Sequence, residues 1–451
     1  MLCASVSKKY LDKNVALKNY VKWILDKFLA IKSKLLYRIN GAGVNNGKYI
    51  PLFDKETENI FQQLMQGREA IIWVVMEEDD VVDVKRILPM YIGNRKIIQL
   101  VPSLNRGDAV GNEVLAIDGL LKASGVNSGV YVLNYSVKTS EFCEEYTKLP
   151  ELGPDDVIIY HFAIGCRLLT DRLKSLACKK VMIYHNITPG DFFKEYNEDL
   201  VELVDSGRRE LADLKNVFDY CMADSEYNKE ELQELGYRQR IDVLPLLVPF
   251  DDYDQGMDVS MLEKYAGDGW TNLLFVGRIA PNKKQEDVIR AYAYYKYHYN
   301  PKSRLILVGN SAGMELYYHR LVDYVAEMGV EDVIFTQHIG FDAILSFYNL
   351  ADVFLCMSEH EGFCVPLIEA MYFDLPIVAY KSSAIPWVLG GSGVLVEEKN
   401  PLEIAGKINQ LVCDKEIRNA VIAGQRKRLE DFSYDKTSAL FMQYMQSFLG
   451  E

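Results

Sequence analysis

The stretch SEHEGFCVPLIEAM, residues 358–371, decides how this chain folds. It follows an apolar run, 351–357, that is typical of a buried parallel strand, and it continues into a helix that Pro366 opens. A strand, a glycine loop and a helix in that order direct free backbone N–H groups and a helix dipole at one point, which favours an anion. Glu361 precedes the helix and Glu369 lies about one turn into it, so both carboxylates can face one cavity. Amides for phosphate and carboxylates for hydroxyls together suit a nucleotide sugar.

A second strand and glycine loop lies earlier in the same half of the chain. Residues 272–276 predict a strand, which Gly277 and Arg278 follow directly, and Lys283 comes five residues after the arginine. Two cations on one loop can converge on a diphosphate. The alternative is a solvated basic loop. An arginine directly after the glycine that ends a strand favours a functional role.

The same order of elements begins at Lys96, with a strand over 97–101, a glycine loop over 107–112 and a helix over 113–123. This order allows a phosphate-facing turn at Gly111, but it is also the ordinary chemistry of a strand–helix connection. Both interpretations stay open from the residues alone.

Two later strands, 156–160 and 181–184, each run into a histidine. In open parallel sheets ligands lie beyond the carboxyl ends of the strands, so His161 and His185 are expected at the mouth of the first domain. A single histidine is more often a satisfied structural group. The repetition at equivalent strand ends favours a functional His161 and leaves His185, with Asn186, balanced between the two roles.

The length and composition set the frame for these motifs. A chain of 451 residues exceeds what one core usually supports and predicts two α/β domains. A net charge of -14 argues against general nucleic-acid binding. Eight scattered cysteines without a CxxC pair indicate free thiols in a reducing cytoplasm, and no apolar leader or 20-residue apolar span is present in the sequence.

Residues 8–38 differ from the rest in the sign of their charge. They hold nine lysines and arginines against two aspartates, and apolar residues recur every three or four positions. This pattern predicts a basic amphipathic helix. Such a helix either lies on an anionic membrane surface, which would make the protein peripheral on the inner face of a membrane, or packs on protein.

Gly277-Arg278 with Lys283, and Glu361-Gly362-Phe363 with Glu369-Ala370-Met371, resemble the donor-site motifs of the retaining GT-B glycosyltransferases of family 4, the glycosyl transferases of group 1. A Glu-x7-Glu pair is the hallmark of that family. The resemblance covers about residues 96–450 and is most specific in the second half. This sequence departs from the pattern at Cys364, where a small glycine is frequent, and near Gly391, where an acidic residue is often found.

The resemblance implies an α/β fold of two Rossmann-like, doubly wound parallel-sheet domains facing a central cleft, with the last helix crossing back to the first domain. The predicted segments are a mostly helical N-terminal extension (1–95), an acceptor-side domain (96–248), a donor-binding domain (249–434) and the crossing helix (435–451).

The resemblance also implies roles for individual residues. Arg278 and Lys283 would bind the donor diphosphate, Glu369 the ribose hydroxyls and Glu361 the hydroxyls of the transferred sugar. The remaining predicted contacts are Gly111, Gly277, Gly362, Phe363, Cys364 and Val365 for the phosphates, and His161, His185 and Asn186 for the sugar and acceptor.

The predicted function is therefore transfer of a sugar from a nucleotide-diphosphate sugar to a glycan or lipid-linked saccharide, with retention of anomeric configuration. His161, Arg278, Lys283 and Glu361 are the expected catalytic residues, and neither a metal nor a cofactor is expected because the two cations stabilise the leaving diphosphate. The alternatives are a catalytically silent GT-B partner subunit that binds another protein, and a nucleotide-sugar epimerase.

Overall fold

The computed structural model describes residues 95–105, 107–254 and 256–450 in full, and the backbone of three short strands before them. The chain divides into two compact units. In the first, β1 (Leu2–Ser5), β2 (Ile71–Met76) and β3 (Val82–Asp83) form an antiparallel sheet in the order β1-β2-β3. The predicted helix over 8–38, with its membrane or protein partner, lies outside the described residues.

The second unit holds two parallel sheets. The first has seven strands in the order β10-β9-β8-β7-β4-β5-β6. Its strands are β4 (Lys96–Leu104), β5 (Asn127–Tyr135), β6 (Glu144–Glu145), β7 (Val157–Phe162), β8 (Lys179–Tyr184), β9 (Tyr220–Ala223) and β10 (Ile241–Val243). The helices between them are α1 (Ala109–Ala123), α2 (Arg167–Lys174), α3 (Glu198–Asp213) and α4 (Glu226–Glu234).

The second sheet has six parallel strands in the order β13-β12-β11-β14-β15-β16. Its strands are β11 (Thr271–Val276), β12 (Ser303–Val308), β13 (Val333–Gln337), β14 (Val353–Cys356), β15 (Ile377–Tyr380) and β16 (Val394–Val396). The helices of this half are α5 (Val259–Tyr265), α6 (Gln285–His298), α7 (Glu315–Glu327), α8 (Phe341–Leu350), α9 (Val365–Tyr372), α10 (Ile385–Leu389), α11 (Pro401–Cys413) and α12 (Lys415–Leu429). The predicted junction at 248–249 falls between β10 and β11.

In both sheets the first strand lies in the middle, and the order of the strands along the sheet reverses at that point. Counted within each domain, the order begins 3-2-1-4-5-6, which is that of a doubly wound Rossmann-like sheet. The strands are buried on both faces, because helices cover them; all six residues of β7 and of β12 are buried. The fold class expected from the sequence is confirmed.

The last helix, α13 (Tyr434–Gly450), returns to the first domain. The hydroxyl of Tyr444 donates to the carbonyl of Val243 at 3.2 Å, and Phe448 stacks on Tyr220 at 5.3 Å between ring centroids. These contacts confirm the predicted crossing helix. Among the described residues, the helices are all too short or too polar to traverse a lipid bilayer.

Two elements differ from their predicted bounds. Helix α1 begins at Ala109 and not at residue 113, so Gly111 lies within its first turn. Strand β7 continues through Phe162, because His161 and Phe162 pair with Ile183 and Tyr184 of β8. His161 is therefore part of a strand and does not follow it.

Candidate functional site

The donor-side motifs meet where the second sheet reverses direction. Strands β11 and β14 are hydrogen-bonded neighbours, although three helices and two strands separate them in the chain. The loops that follow them carry Lys283 and Glu361. A crevice forms at such a reversal because the helices after the two strands cover opposite faces of the sheet. The topology thus brings together residues that are 78 positions apart.

Lys283 and Glu361 form a close ion pair there. The ammonium lies 2.7 Å from Oε1 and 2.6 Å from Oε2 of the carboxylate, and the side chains are 21% and 7% exposed. Burial alone lowers the pKa of Lys283, but the attraction of Glu361 outweighs it and the pKa is raised. The lysine is therefore a permanent cation at neutral pH, and its charge is balanced by a carboxylate that a ligand can displace.

Asn282 fixes the distance between these two loops. Its side-chain amide donates to the carbonyl of His360 at 3.1 Å, and its own carbonyl accepts from the backbone N–H of Glu359 at 2.8 Å. On the outer side, Lys399 bridges Asp287 and Glu359 at 2.9 and 2.7 Å. The loops are cross-linked on both sides of the ion pair, which holds the cation and the carboxylate in place before any ligand arrives.

Arg278 is the second predicted cation and it is exposed. Its guanidinium donates to the carbonyl of Ala312 at 3.1 Å, and its own carbonyl accepts from the amide of Gln285 at 3.0 Å. One hydrogen bond leaves most of the five guanidinium N–H groups available to a ligand. The arginine is thus held in place and can still bind an anionic ligand.

A cavity of about 170 Å³ lies between the two domains at this point. It brings together several predicted residues, namely Arg278, Lys283, Glu361 and Gly362 from the second domain and His185 and Asn186 from the first. Its lining also includes residues that the sequence did not single out, which are Thr188, Phe193, Ala280, Asn282 and His360. The expected cleft is present, with Arg278, Lys283 and Glu361 on the wall from the second domain.

The two walls touch at the edge of this cavity. His360 Nε2 lies 2.7 Å from Asn186 Oδ1, and the hydroxyl of Ser225 donates to the carbonyl of Gly362 at 2.7 Å. A Cβ at position 362 would lie 2.6 Å from Cβ of Asn186 and 2.8 Å from the carbonyl oxygen of His185. Glycine is required here because the backbones approach so closely. The loop predicted as a phosphate cradle is therefore also a contact between the two domains.

His161 lies behind the cavity and not in its wall. It is fully buried, with Nδ1 at 3.0 Å from His185 Nε2 and Nε2 at 2.9 Å from Gln99 Oε1. Gln99 in turn donates to the carbonyl of Val114 at 3.0 Å, which fixes its oxygen toward the histidine. His161 therefore carries its proton on Nε2 and accepts at Nδ1. Neither ring nitrogen is left to meet a sugar.

His185 is the charged residue of this hydrogen-bonded network. Its Nδ1 lies 3.0 Å from Asp224 Oδ2 and 3.6 Å from Glu113 Oε2. Burial lowers the pKa of His185, but Asp224 and then Glu113 more than compensate and raise it to about 9. Burial and the neighbouring histidine hold the pKa of His161 well below its usual range. An imidazolium at 185 donates on both sides, to Asp224 and to neutral His161, so the network is consistent throughout.

Glu369 is partly exposed but its carboxylate is already hydrogen-bonded. Oε2 accepts from the hydroxyl of Tyr348 at 2.6 Å and Oε1 from that of Tyr253 at 3.2 Å. Burial raises the pKa of Glu369, and the two hydroxyls oppose that rise. Tyr253 comes from the segment between β10 and α5. The ribose role of Glu369 stays a prediction, and a ribose there would have to share these oxygens with two tyrosines.

The other predicted phosphate contacts have distinct positions. Gly111 is buried, and a Cβ there would lie 2.1 Å from the carbonyl oxygen of Asn105, so close packing already explains this glycine. Phe363 packs on Trp387 and Phe432. Cys364 has φ +79° and stands directly before Val365, the first residue of α9, and Gly277 has φ +151°. The backbone from 362 to 365 is therefore the part that can present amides.

The residues that the sequence analysis missed are mostly polar groups buried in the first domain. Gln99 sits inside β4, Glu113 inside α1, and Asp224 directly after β9. Asp224 could have been found, because it stands directly after its strand as His185 does. The other two carry no such signal, since a lone buried polar residue in a strand or helix has no fixed spacing.

Comparison with known proteins agrees with this geometry. Residues 268–428 match the family model described as glycosyl transferases group 1. A D-inositol 3-phosphate glycosyltransferase of Acidothermus cellulolyticus is 31% identical over 172 residues, which is 37% of this chain and 38% of the relative. An uncharacterized glycosyltransferase of Methanocaldococcus jannaschii is 28% identical over 36% of this chain and 41% of its own length. The match thus spans well under half of each relative.

Solved structures match over a longer part of the chain. Anabaena HepE in complex with UDP and glucose covers 78% of this chain and 100% of its own, with a TM-score of 0.62 and 20% identity. Sucrose-phosphate synthase from Thermosynechococcus elongatus covers 79% of this chain and 100% of its own, with a TM-score of 0.61 and 16% identity. At this identity the likeness concerns the fold.

Fold and site together define a GT-B protein with two Rossmann-like domains. Residues 268–428 of its second domain match the glycosyl transferases group 1 model, and this is the region that holds the Gly277–Arg278, Lys283 and Glu361–Glu369 motifs.

Proposed function

We propose that this protein transfers a sugar from a nucleotide-diphosphate sugar to a saccharide or lipid-linked acceptor, with retention of configuration and without a metal. One observation carries the proposal. Arg278, Lys283 and Glu361 converge on a single cavity at the reversal of the second sheet, opposite a wall from the first domain. Two cations suit a diphosphate and a carboxylate suits sugar hydroxyls.

The Lys283–Glu361 pair suggests how the donor enters. The diphosphate takes the ammonium of Lys283, and the sugar hydroxyls replace that ammonium as partners of Glu361. Each buried charge therefore exchanges one partner for another and is never left alone, which avoids the cost of several kcal/mol for an unpaired buried charge.

The cations then act on the leaving group. Cleavage of the bond between the sugar and the diphosphate leaves negative charge on the phosphate oxygens and positive charge on the sugar. Lys283, Arg278 and the amides of 362–365 stabilise the first, from positions that the cross-linked loops already hold. The mechanism derives the countercharge from these side chains and requires no metal ion.

On the acceptor side, the geometry favours His185 over His161 as the residue nearest the reacting sugar. His185 and Asn186 line the cavity, while His161 supports His185 from behind. His161 is therefore proposed as a positioning residue, which holds the imidazolium of His185 through a single hydrogen bond.

The test is nucleotide release. The purified chain is incubated with UDP, GDP, ADP and dTDP sugars, with and without candidate acceptors that include inositol 3-phosphate, which the name of its bacterial relatives contains. Slow hydrolysis of one donor, accelerated by an acceptor and giving a product of unchanged anomeric configuration, supports the proposal. Failure to release nucleotide from every donor would favour a silent partner subunit, and an interconverted sugar that stays attached to its nucleotide would indicate an epimerase.

A further inference from the structure

Two buried thiols lie close to Glu361, which lines the donor cavity. Cys356 ends β14 and Cys364 precedes α9, and they are 2% and 8% exposed. The sulfur of Cys356 lies 3.5 Å from the hydroxyl oxygen of Ser358. A sulfur of each and a carboxylate oxygen of Glu361 all lie within 4.8 Å of one another. The predicted phosphate loop thus has two sulfur donors and one oxygen donor on its inner side.

The backbone at Cys364 is a second and independent observation. Its φ of +79° and ψ of +67° belong to the left-handed region, where a residue with a Cβ is strained and glycine is not. Such strain costs on the order of 1–3 kcal/mol and concentrates at functional sites. A glycine would relieve the strain and would leave the loop's amides unchanged, so the thiol itself is the feature that distinguishes this residue.

We propose that Cys356, Cys364 and Glu361 form a binding site for a soft divalent metal ion such as Zn²⁺, with an open position toward the cavity. Two thiolates and one carboxylate are a donor set that zinc prefers to magnesium or calcium. Three protein ligands and one open position are the arrangement of an accessible zinc site. Glu361 lines the cavity, so an ion has a path to the sulfurs.

The charges balance when the ion binds. Each thiol releases its proton to solvent as its sulfur binds the metal, so a charge of +2 enters and two protons leave. Lys283 and Glu361 keep their charges of +1 and −1. The buried group is neutral before and after, and binding therefore strengthens as the pH rises.

Metal binding at this site should inhibit the proposed function. The inhibition rests on that function, whereas the metal site itself does not. The ion takes one of the two carboxylate oxygens that Lys283 now holds, and Glu361 is no longer free to meet the sugar. Zinc should therefore weaken donor binding and act as an inhibitor that competes with the nucleotide sugar.

The binding test uses the reduced full chain in oxygen-free buffer with a phosphine reductant. Cd²⁺ is titrated as a probe and the thiolate-to-cadmium charge-transfer absorbance is followed. We expect saturation at one ion per chain. Cys356→Ser and Cys364→Gly should each weaken this binding by at least about 10- to 100-fold, and Glu361→Gln should weaken it while the absorbance band persists, because both sulfurs remain.

Cys413→Ser removes an exposed thiol and is the matched control, for which binding should be unchanged. Equal binding by the wild-type protein and Cys364→Gly would overturn the proposal, as would a wild-type chain that shows no band while thiol titration finds both cysteines reduced. Neither result depends on transfer activity. Zinc inhibition is measured separately as a rise in donor KM, and a KM that zinc leaves unchanged in a protein that binds cadmium would refute the inhibitory part alone.

Discussion

The strand order reverses once in each sheet, and the two points of reversal have the same topology but different chemistry. In the second domain the reversal between β11 and β14 holds Lys283 and Glu361 against an open cavity. In the first domain the reversal between β4 and β7 holds Gln99 and His161 in a sealed chain of hydrogen bonds. Topology decides where a site can form. Whether a ligand can use it depends on which polar atoms are already bound within the protein.

The largest expected effect comes from removing the cation of the open reversal. Lys283→Ala should lower kcat/KM by about 2–4 kcal/mol, roughly 30- to 1000-fold, because the leaving diphosphate loses a preorganised countercharge. Nucleotide release under subsaturating donor measures it. Lys284→Ala is the matched control, since that neighbour forms longer contacts with Glu359 and Glu286, at 3.4 and 3.7 Å, and does not line the cavity. Equal losses in both variants would contradict the assigned role.

The hydrogen-bonded network at the reversal of the first domain should make the stability of the protein depend on pH. The nearby carboxylates raise the pKa of His185 to about 9, and burial raises the pKa of Glu113 to about 8. Groups with raised pKa values bind protons more tightly in the folded state, so both make the free energy of unfolding fall as pH rises. For His185 the stabilisation is complete below about 6.5 and is lost toward 9, on the order of 3 kcal/mol.

Urea unfolding between pH 6 and 9.5 measures this slope. His185→Asn should flatten this slope. His161→Gln should shift the pH profile of activity, with a smaller change in kcat than His185→Asn causes. A slope that is identical in wild type and His185→Asn would show that the imidazolium is not the titrating group.

Glu369 lies between the two cases, because it belongs to the donor side but its oxygens are occupied by tyrosines. Glu369→Gln should raise the donor KM by about 10-fold with little change in kcat, since a ribose contact is made equally in the ground and transition states. Tyr348→Phe is the comparison, and it should cost about 1–3 kcal/mol of stability by leaving a buried oxygen unpaired. An unchanged KM in Glu369→Gln with a lower Tm would make Glu369 a structural residue only.

The smallest effect is expected at the contact between the domains. Burial holds the pKa of His360 to about 4, against opposing effects of Glu231 and Glu361. A depressed pKa means that the contact with Asn186 is stable above about 6.5 and is lost as pH falls toward 4. The donor KM should therefore rise by about 3- to 10-fold between pH 7.5 and 5.5. In His360→Asn this rise should be reduced, and a full rise in that variant would assign the titration to another group.

The donor side was predictable because its residues stand at fixed offsets from strand ends. Gly277, Arg278 and Lys283 follow one predicted strand and Glu361 follows another, and the carboxyl ends of parallel strands share one edge. His185 and Asn186 were placed for the same reason. His161 was less well placed, because one more pair of strand residues, which only the register with β8 reveals, draws it into the sheet.

The sequence by itself determined the two α/β domains and the loops that carry the charges of the second, since these follow from periodicity, glycine positions and the spacing of residues after strand ends. Only the tertiary structure decided which of those side chains remain free. Arg278 donates one hydrogen bond, Glu369 is held by two tyrosines, and His161 has no nitrogen to spare. Saturation of a polar atom depends on partners from distant strands and helices, and no local pattern records them.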